Sequence, residues 1–432
     1  MIGTLNSSCK EATVVGAGIA GMLAAYALDR DGYSVTLLEE KERAGGLIQT
    51  RTTKHGIAES AAHSLIATET VRELCRDLGV ELVEPRKEGK AKYFVRDGRL
   101  RRFPLTIGEA FDTLGHAALV RSISHPTSSE PQRLDLWARR HLGDAALEYL
   151  LTPFVRGIYG VQPAELGVST AFPFLDLPAG KTLLGAMLGR HDNSRSKKDK
   201  KHRTAPRFGM GDLVARLEKR LEQRLGSRFR KGEPVDQLPE AANVIIATPA
   251  HAAAKIIRSA SASLSDKLAG VRYTPIVSVT VFVDRHALTR PLHGVGVLMP
   301  SREQTKSLGI LFNSSSFDYR VADGSRFASF TVMMGGTAQP QWLTASDEEI
   351  RQAIKLELAT LLGILEPHDV VIHRWPAALP QYSTDLPVIW DHARHTWCAT
   401  PGRILFGNYT GQISLRGMIE SAAKLRSRDS GH

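Results

Sequence analysis

Residues Thr13 to Gly46 constrain this chain more than any other stretch. Thr13-Val14-Val15 is a short apolar strand that runs directly into Gly16-Ala17-Gly18-Ile19-Ala20-Gly21. Met22 to Arg30 is rich in helix formers, Asp31-Gly32 breaks it, and Ser34 to Leu38 is a second strand closing on Glu39-Glu40. Glycines at these spacings have separate jobs: Gly16 for a tight turn, Gly18 for close backbone approach to a pyrophosphate, Gly21 for helix–strand packing. The anion would sit on the helix N-terminus, where free N–H groups and the macrodipole favour negative charge. Glu39, about twenty residues on, is placed to accept hydrogen bonds from a ribose. The stretch therefore predicts a βαβ unit that binds a dinucleotide.

A second glycine pair, Gly45-Gly46, follows Arg43 and Ala44 directly after the second strand. Such a pair at this place resembles the FAD-binding oxidoreductases with a glutathione-reductase-like fold, in particular the branch of amine oxidases and protoporphyrinogen oxidases. NAD dehydrogenases do not usually carry it. The resemblance implies a flavin.

The chain has 432 residues, enough for two or three domains. Cys9, Cys75 and Cys398 are far apart and in no metal-like spacing, which predicts a reducing compartment without disulfides, zinc or iron–sulfur clusters. The polar first ten residues do not read as a secretory signal, and no apolar run is long enough to span a bilayer. The net charge of +11 is concentrated in Arg190 to Arg203, where seven Lys/Arg face two Asp. That run reads as a solvated loop or as a peripheral contact with acidic lipid. No aromatic interleaving accompanies it, so nucleic acid is set aside.

Beyond Gly46, Leu47 to Glu59 reads as a hairpin and Glu69 to Leu78 as an amphipathic helix. Lys92 to Pro104 is a β-hairpin around Asp97-Gly98. Ile107 to about Leu184 is mostly helical, and Val244 to Pro249 is a buried strand. From Val271 to Gly336 β-branched content rises, and the chain returns to a strand and Gly turn at Gly402 to Asn408.

Several distant segments sharpen the resemblance. Thr152-Pro153-Phe154 to Leu166, the pair Val295–Ser301 and Leu308–Ser314, Trp375 with Pro380-Gln381-Tyr382, and Gly407-Asn408-Tyr409 to Ser421 are each similar to segments of the protoporphyrinogen oxidase family, including its coproporphyrinogen-oxidising bacterial members. The fold class this implies is α/β: a discontinuous Rossmann-like FAD-binding domain (1–85, 205–260, 386–432), a mixed-sheet substrate domain (86–110, 261–385) and a helical, membrane-associating insert (111–204). The implied reaction is six-electron oxidation of a porphyrinogen to the porphyrin in haem biosynthesis, in three hydride transfers to FAD. Dioxygen would be the acceptor, released as hydrogen peroxide. The cofactor carries such chemistry, which agrees with the absence of any Ser/His/Asp or paired-carboxylate constellation and leaves no residue assigned as catalytic. The implied location is cytoplasmic or on the inner face of the membrane. Oligomeric state stays open, with a homodimer as one expectation.

Carried over residue by residue, the resemblance gives a flavin set. Gly16, Ala17, Gly18, Ile19, Ala20, Gly21, Glu39 and Glu40 take the pyrophosphate and ribose. Arg43, Gly45, Gly46 and Leu47 form the second Gly turn, and Ala61, Ala62, His63 and Ser64 lie against the isoalloxazine. Val235 holds the adenine by its backbone, and Ile413, Ser414 and Leu415 cover the pyrimidine end. For substrate it gives Lys92 against a propionate, Gly157 for room at the cavity, and Leu311 and Phe330 as lining. On the residues alone, Lys92 also reads as an exposed strand lysine, Leu311 and Phe330 as core, His55 and His63 as loop or surface histidines, and Trp375 as a core or domain-interface residue. Two other functions remain open: an amine oxidase of the same superfamily, and a flavin or porphyrin carrier without turnover. A lysine on the Ile276–Val283 strand would mark the former, and none is present.

Overall fold

The computed structural model describes residues 1–120, 132–177, 180–190, 202–288 and 292–425. Most of the basic run, positions 191–201, lies outside the described residues.

Two sheets organise the molecule. The chain opens with β1 (Glu11–Val15), α1 (Ile19–Arg30) and β2 (Ser34–Leu38). The β3 (Thr50–Thr53) and β4 (Gly56–Glu59) hairpin follows, then a second hairpin of β5 (Lys92–Arg96) and β6 (Arg99–Arg101). Asp97 and Gly98 both take positive φ, 53° and 67°, as a two-residue turn matched to strand twist demands. Next come the helices α2 (Ile107–Leu119), α3 (Thr152–Tyr159) and α4 (Met210–Leu225), and the strands β7 (Phe229–Arg230) and β8 (Asn243–Ile246). The long strand β9 (Tyr273–Asp284) leads into β10 (Gly296–Leu298), β11 (Ser307–Phe312) and β12 (Phe327–Gly335). The described chain ends with α5 (Asp347–Leu362), β13 (Asp369–Pro380), β14 (Arg403–Leu405) and α6 (Leu415–Ala423).

The first sheet is wholly parallel, in the order β7-β2-β1-β8-β14. It is assembled from three distant parts of the chain, so the dinucleotide unit is completed only by long-range pairing. Parallel strands are buried on both faces, and Val14, Val35, Leu37, Val244, Ile245 and Ile246 are all fully buried. The helix α1 is enclosed from Ile19 to Leu28, with α4 and α6 packed against it.

The second sheet runs β13-β9-β12-β11-β10-β5-β6, antiparallel except where β10 meets β5. Its two faces differ. One is covered by α5 and packed with Val277, Val279, Val281, Val297, Ile310, Phe312, Phe330 and Val332. A capping box fixes the start of that helix: the Ser346 hydroxyl accepts from the Glu349 N–H (3.2 Å), and the Glu349 carboxylate accepts from the Ser346 N–H (2.8 Å). The opposite face looks toward β4 and the residues after it. That face carries the candidate site.

Candidate active site

The Gly-rich turn has the geometry its sequence demands. Gly16 takes φ +95° and donates to the Leu38 carbonyl (2.7 Å). A β-carbon on Gly21 would lie 1.8 Å from the Gly16 carbonyl oxygen, so only glycine closes the contact between strand end and helix. Gly18 is different: a β-carbon there meets nothing within 4 Å. It opens on space at the N-terminus of α1, beside Ile19 and Ala20, where unpaired N–H groups face outward.

Glu39 leans over this turn. Its carboxylate accepts from the Ala17 N–H (2.7 Å) and from the Lys41 N–H (3.1 Å), and lone pairs remain for ribose hydroxyls. Glu40 is exposed. The second Gly pair docks on the first: Gly45 donates to Ala17 (2.8 Å) and pairs with Gly18 in a parallel bridge. Arg43 stitches this turn through the Ala44 and Gly46 carbonyls, and Leu47 accepts from Ser60 (2.7 Å). The Glu233 N–H donates to the Glu39 carbonyl (2.9 Å), which holds the Glu233–Val235 segment against the end of β2. Ser414 caps α6 by accepting from Gly417 (3.1 Å), with Ile413 half-buried and Leu415 buried beside it. A buried hydroxyl, Thr248 Oγ1, stands without a partner next to Gly16. An open glycine cradle, a helix N-terminus, a carboxylate beside the turn and an orphaned hydroxyl together fit a flavin dinucleotide.

The segment that follows β4 joins this unit to the second sheet. Glu59 is buried and forms an ion pair with buried Arg320. It also accepts from Thr50 Oγ1 (2.6 Å) and from the Met210 N–H (2.9 Å). Arg320 donates in addition to the His63 carbonyl (2.7 Å), and Trp375 Nε1 donates to the Ser60 carbonyl (2.8 Å). Ala61, Ala62, His63 and Ser64 are therefore pinned from both sides. Trp375, half-buried, thereby ties the second sheet to the loop after β4.

Strand register sorts the substrate residues. Directly paired residues share a face of a sheet. Lys92, Gly296, Leu311, Thr331 and Thr280 form one row across five strands, and Leu298, Gly309, Met333, Ser278 and His373 form the next. Both rows lie on the face away from α5. A β-carbon on Gly157, in α3, would lie 2.8 Å from Leu298 Cδ2, so α3 walls one end of this face. The structure thus brings Lys92, Gly157 and Leu311 to one surface.

Phe330 goes elsewhere. It is 2% exposed and stacks edge-on against Phe312 in the core under α5. It is a packing residue and does not line the slot, because β12 alternates and its slot-facing residues are Ser329, Thr331 and Met333. His55 and His63 both stand in loops, but neither is a surface histidine. His55 is buried against Phe282, Phe327 and His368, and His63, although half-buried overall, has its Nε2 sealed from solvent. Lost solvation, then the nearby Arg320 and His373 charges, hold the His63 ring down to about 3. Glu59, Arg320, Ser278 and His373 escaped the sequence reading. Only the inward phase of Glu59 in the short strand Gly56–Glu59 could have flagged one of them.

These features define a flavin-dependent oxidoreductase. The chain belongs to the family of flavin containing amine oxidoreductases, which matches residues 19–424. Among its relatives, Protoporphyrinogen oxidase 2 of Arabidopsis thaliana is 28% identical, over 96% of this chain and 93% of its own. Coproporphyrinogen III oxidase of Bacillus subtilis is 23% identical, over 86% of this chain and 87% of its own. The crystal structure of a putative protoporphyrinogen oxidase from Exiguobacterium sp. 255-15 superposes with a TM-score of 0.78 over 98% of both chains at 22% identity, a likeness of fold.

Proposed function

We propose that the chain binds FAD and oxidises a porphyrinogen to its porphyrin, with dioxygen as the final acceptor and hydrogen peroxide as its product. The observation that carries this reading is the asymmetry of the second sheet. Under α5 the core is closed, whereas on the other face Leu298, Leu311, Met333, His373 and Trp375 all keep accessible surface. That face is broad and low, smoothed by Gly296 and Gly309, and edged by the exposed Lys92. From Leu298 to His373, both partly accessible, is four strand spacings, about 19 Å. Such a slot suits a large flat ring with an anionic substituent at one edge, and the curated relatives are named for porphyrinogens.

When bound, FAD supplies the hydride acceptor. The chain itself anchors the pyrophosphate at Gly16–Gly21, the ribose at Glu39 and the adenine beside Val235. It lays Ala61–Ser64 along the ring, closes the far end with Ile413–Leu415, and keeps water out with the Trp375–Ser60 clasp. Lys92 attracts a carboxylate as a point charge.

The test is to mix purified protein with porphyrinogens bearing two or four carboxylates and follow porphyrin fluorescence in air. Colourless protein that takes up no FAD, or yellow protein that forms no porphyrin, would sink the reading. Lys92→Glu is expected to raise KM by up to about fivefold, the upper value of one exposed charge pair at about 1 kcal/mol, with flavin content unchanged. An unchanged KM removes Lys92 from the site.

We infer also that the helical segment lies on an acidic lipid surface, in the cytoplasm. No helix among the described residues is long and apolar enough to cross a membrane. Yet α2 exposes Ile107 (79%), Phe111 (70%) and Leu119 (80%), with Arg99, Arg101 and Arg102 exposed beside it. Apolar residues at helical spacing next to cations are what interfacial binding uses. Ile107→Glu with Phe111→Glu should leave thermal stability unchanged and abolish co-sedimentation with vesicles containing acidic lipid. Equal binding by the variant would refute it.

A further inference from the structure

Three buried polar atoms near the pinned Ala61–Ser64 segment have no partner: His63 Nε2, His373 Nδ1 and Ser278 Oγ. They converge. Ser278 and His373 sit opposite each other across the β9–β13 ladder, on the slot face. Trp375, two residues beyond His373 on the same face, reaches the Ser60 carbonyl, which places His373 over the loop that carries His63. His373 lies close enough to His63 to help lower the pKa of its ring. An unpaired buried polar group costs on the order of 1–3 kcal/mol, so three in one place imply a common partner with donor and acceptor capacity. A water molecule has both. Of the ionisable groups nearby, Glu59 is committed to Arg320, Thr50 and Met210, and Arg320 to Glu59 and the His63 carbonyl, while Arg51 adds positive charge and the Tyr319 hydroxyl stays protonated, its pKa pushed up to about 12 by burial.

We propose that His373, through a water held by His63 and Ser278, accepts the proton that the substrate releases at each oxidation step. This rests on the porphyrinogen reading. In each step a bridging C–H bond breaks and its electron pair leaves with the hydrogen to the flavin. The resulting cation sheds one proton, from a pyrrole N–H in two of the steps and from a C–H of the fourth bridge in the remaining one, and the electron pair left behind completes the new conjugation. The proton goes to the water and on to His373 Nδ1, and from there to solvent. Three such steps remove six electrons, as three hydrides, and three protons. Burial, and then Arg51, lower the His373 pKa, so the ring is uncharged at neutral pH and its lone pair is free. The proton leaves a cation that is a strong acid, so a weak neutral base suffices.

The test compares native protein with His373→Gln and His373→Ala, each loaded with FAD. Anaerobic bleaching of the flavin by porphyrinogen should slow at least tenfold in both, with flavin content preserved. Added imidazole should restore speed to His373→Ala, which a merely structural role would not allow. A readout independent of turnover is the ¹⁵N signal of His373 in histidine-labelled native protein, identified by its loss in the variants. It should report a neutral ring at neutral pH and shift when porphyrin product is added. Bleaching of His373→Gln at native speed, or a signal that ignores porphyrin, overturns this inference alone. Native, flavin-loaded protein that forms no porphyrin overturns the porphyrinogen reading with it.

Discussion

Two glycines three residues apart make opposite predictions. Gly21 is required by the protein itself, because a β-carbon would strike the Gly16 carbonyl at 1.8 Å. Gly18 has φ −63°, which any residue adopts, and open space where its side chain would be. Gly18→Ala should therefore fold with a melting temperature within about 2 °C of native, since exposed changes without a lost contact cost at most about 0.5 kcal/mol. It should lose flavin, because the methyl occupies the pyrophosphate cradle. Gly21→Ala should lose both stability and flavin. Full flavin content in Gly18→Ala would show that the dinucleotide does not lie there. These positions were readable in the sequence because backbone sterics alone demand glycine. Phe330 was not. The strand Phe327–Gly335 is buried on both faces, with Phe330 and Val332 toward α5 and Ser329, Thr331 and Met333 toward the slot. Apolar residues stand on both sides, so its alternation cannot be phased until it is known which face a helix covers.

One buried charged pair sits at the junction between the β3–β4 hairpin and the second sheet. Arg320 and Glu59 are both buried, at 3% and 1% side-chain exposure, and each is also tied to backbone on the far side. Removing one partner strands the other charge away from water. Arg320→Met is accordingly expected to lower stability by about 3–5 kcal/mol in denaturant unfolding, whereas Arg320→Met with Glu59→Met should recover part of that loss. A double variant no more stable than the single would show that backbone tethers, and not the stranded carboxylate, dominate. The pair was illegible in the sequence for a physical reason: its partners are 261 residues apart. Neither carries local patterning that links it to the other. The same holds for the parallel sheet. Four of its five strands could be picked out locally by apolar runs, the two-residue β7 could not, and their order, with β8 and β14 completing β1 and β2, is a property of long-range pairing.

Taken together, the buried histidines give the folded chain a definite response to acid. His55, His63, His141 and His373 all have lowered pKa values, in each case chiefly from lost solvation. Such a group is neutral when folded but takes up a proton below about 6.5 when unfolded. The unfolded state then binds more protons, so stability is full above pH 6.5 and declines as pH falls through that value. For His63, with a folded value of about 3, the decline continues down to that pH. Between pH 6.5 and 5 His63 alone accounts for up to about 2 kcal/mol, since each bound proton gives about 1.4 kcal/mol per pH unit. Carboxylates held below their usual range act in the same direction but later, whereas buried Glu357, pushed up by lost solvation, acts in the opposite sense. Glu109, held down to about 2 by its hydrogen bonds from Arg96, contributes a loss only below about 4.5. Urea unfolding of the flavin-loaded protein should therefore show stability falling between pH 7 and 5, ahead of the loss from Glu109. His63→Asn, which cannot ionise and leaves the backbone carbonyl free to accept from Arg320, should flatten that slope by about one proton. An unchanged slope would mean that the His63 ring is solvated and charged, and the sealed Nε2 on which the proton-uptake cluster depends would fall with it.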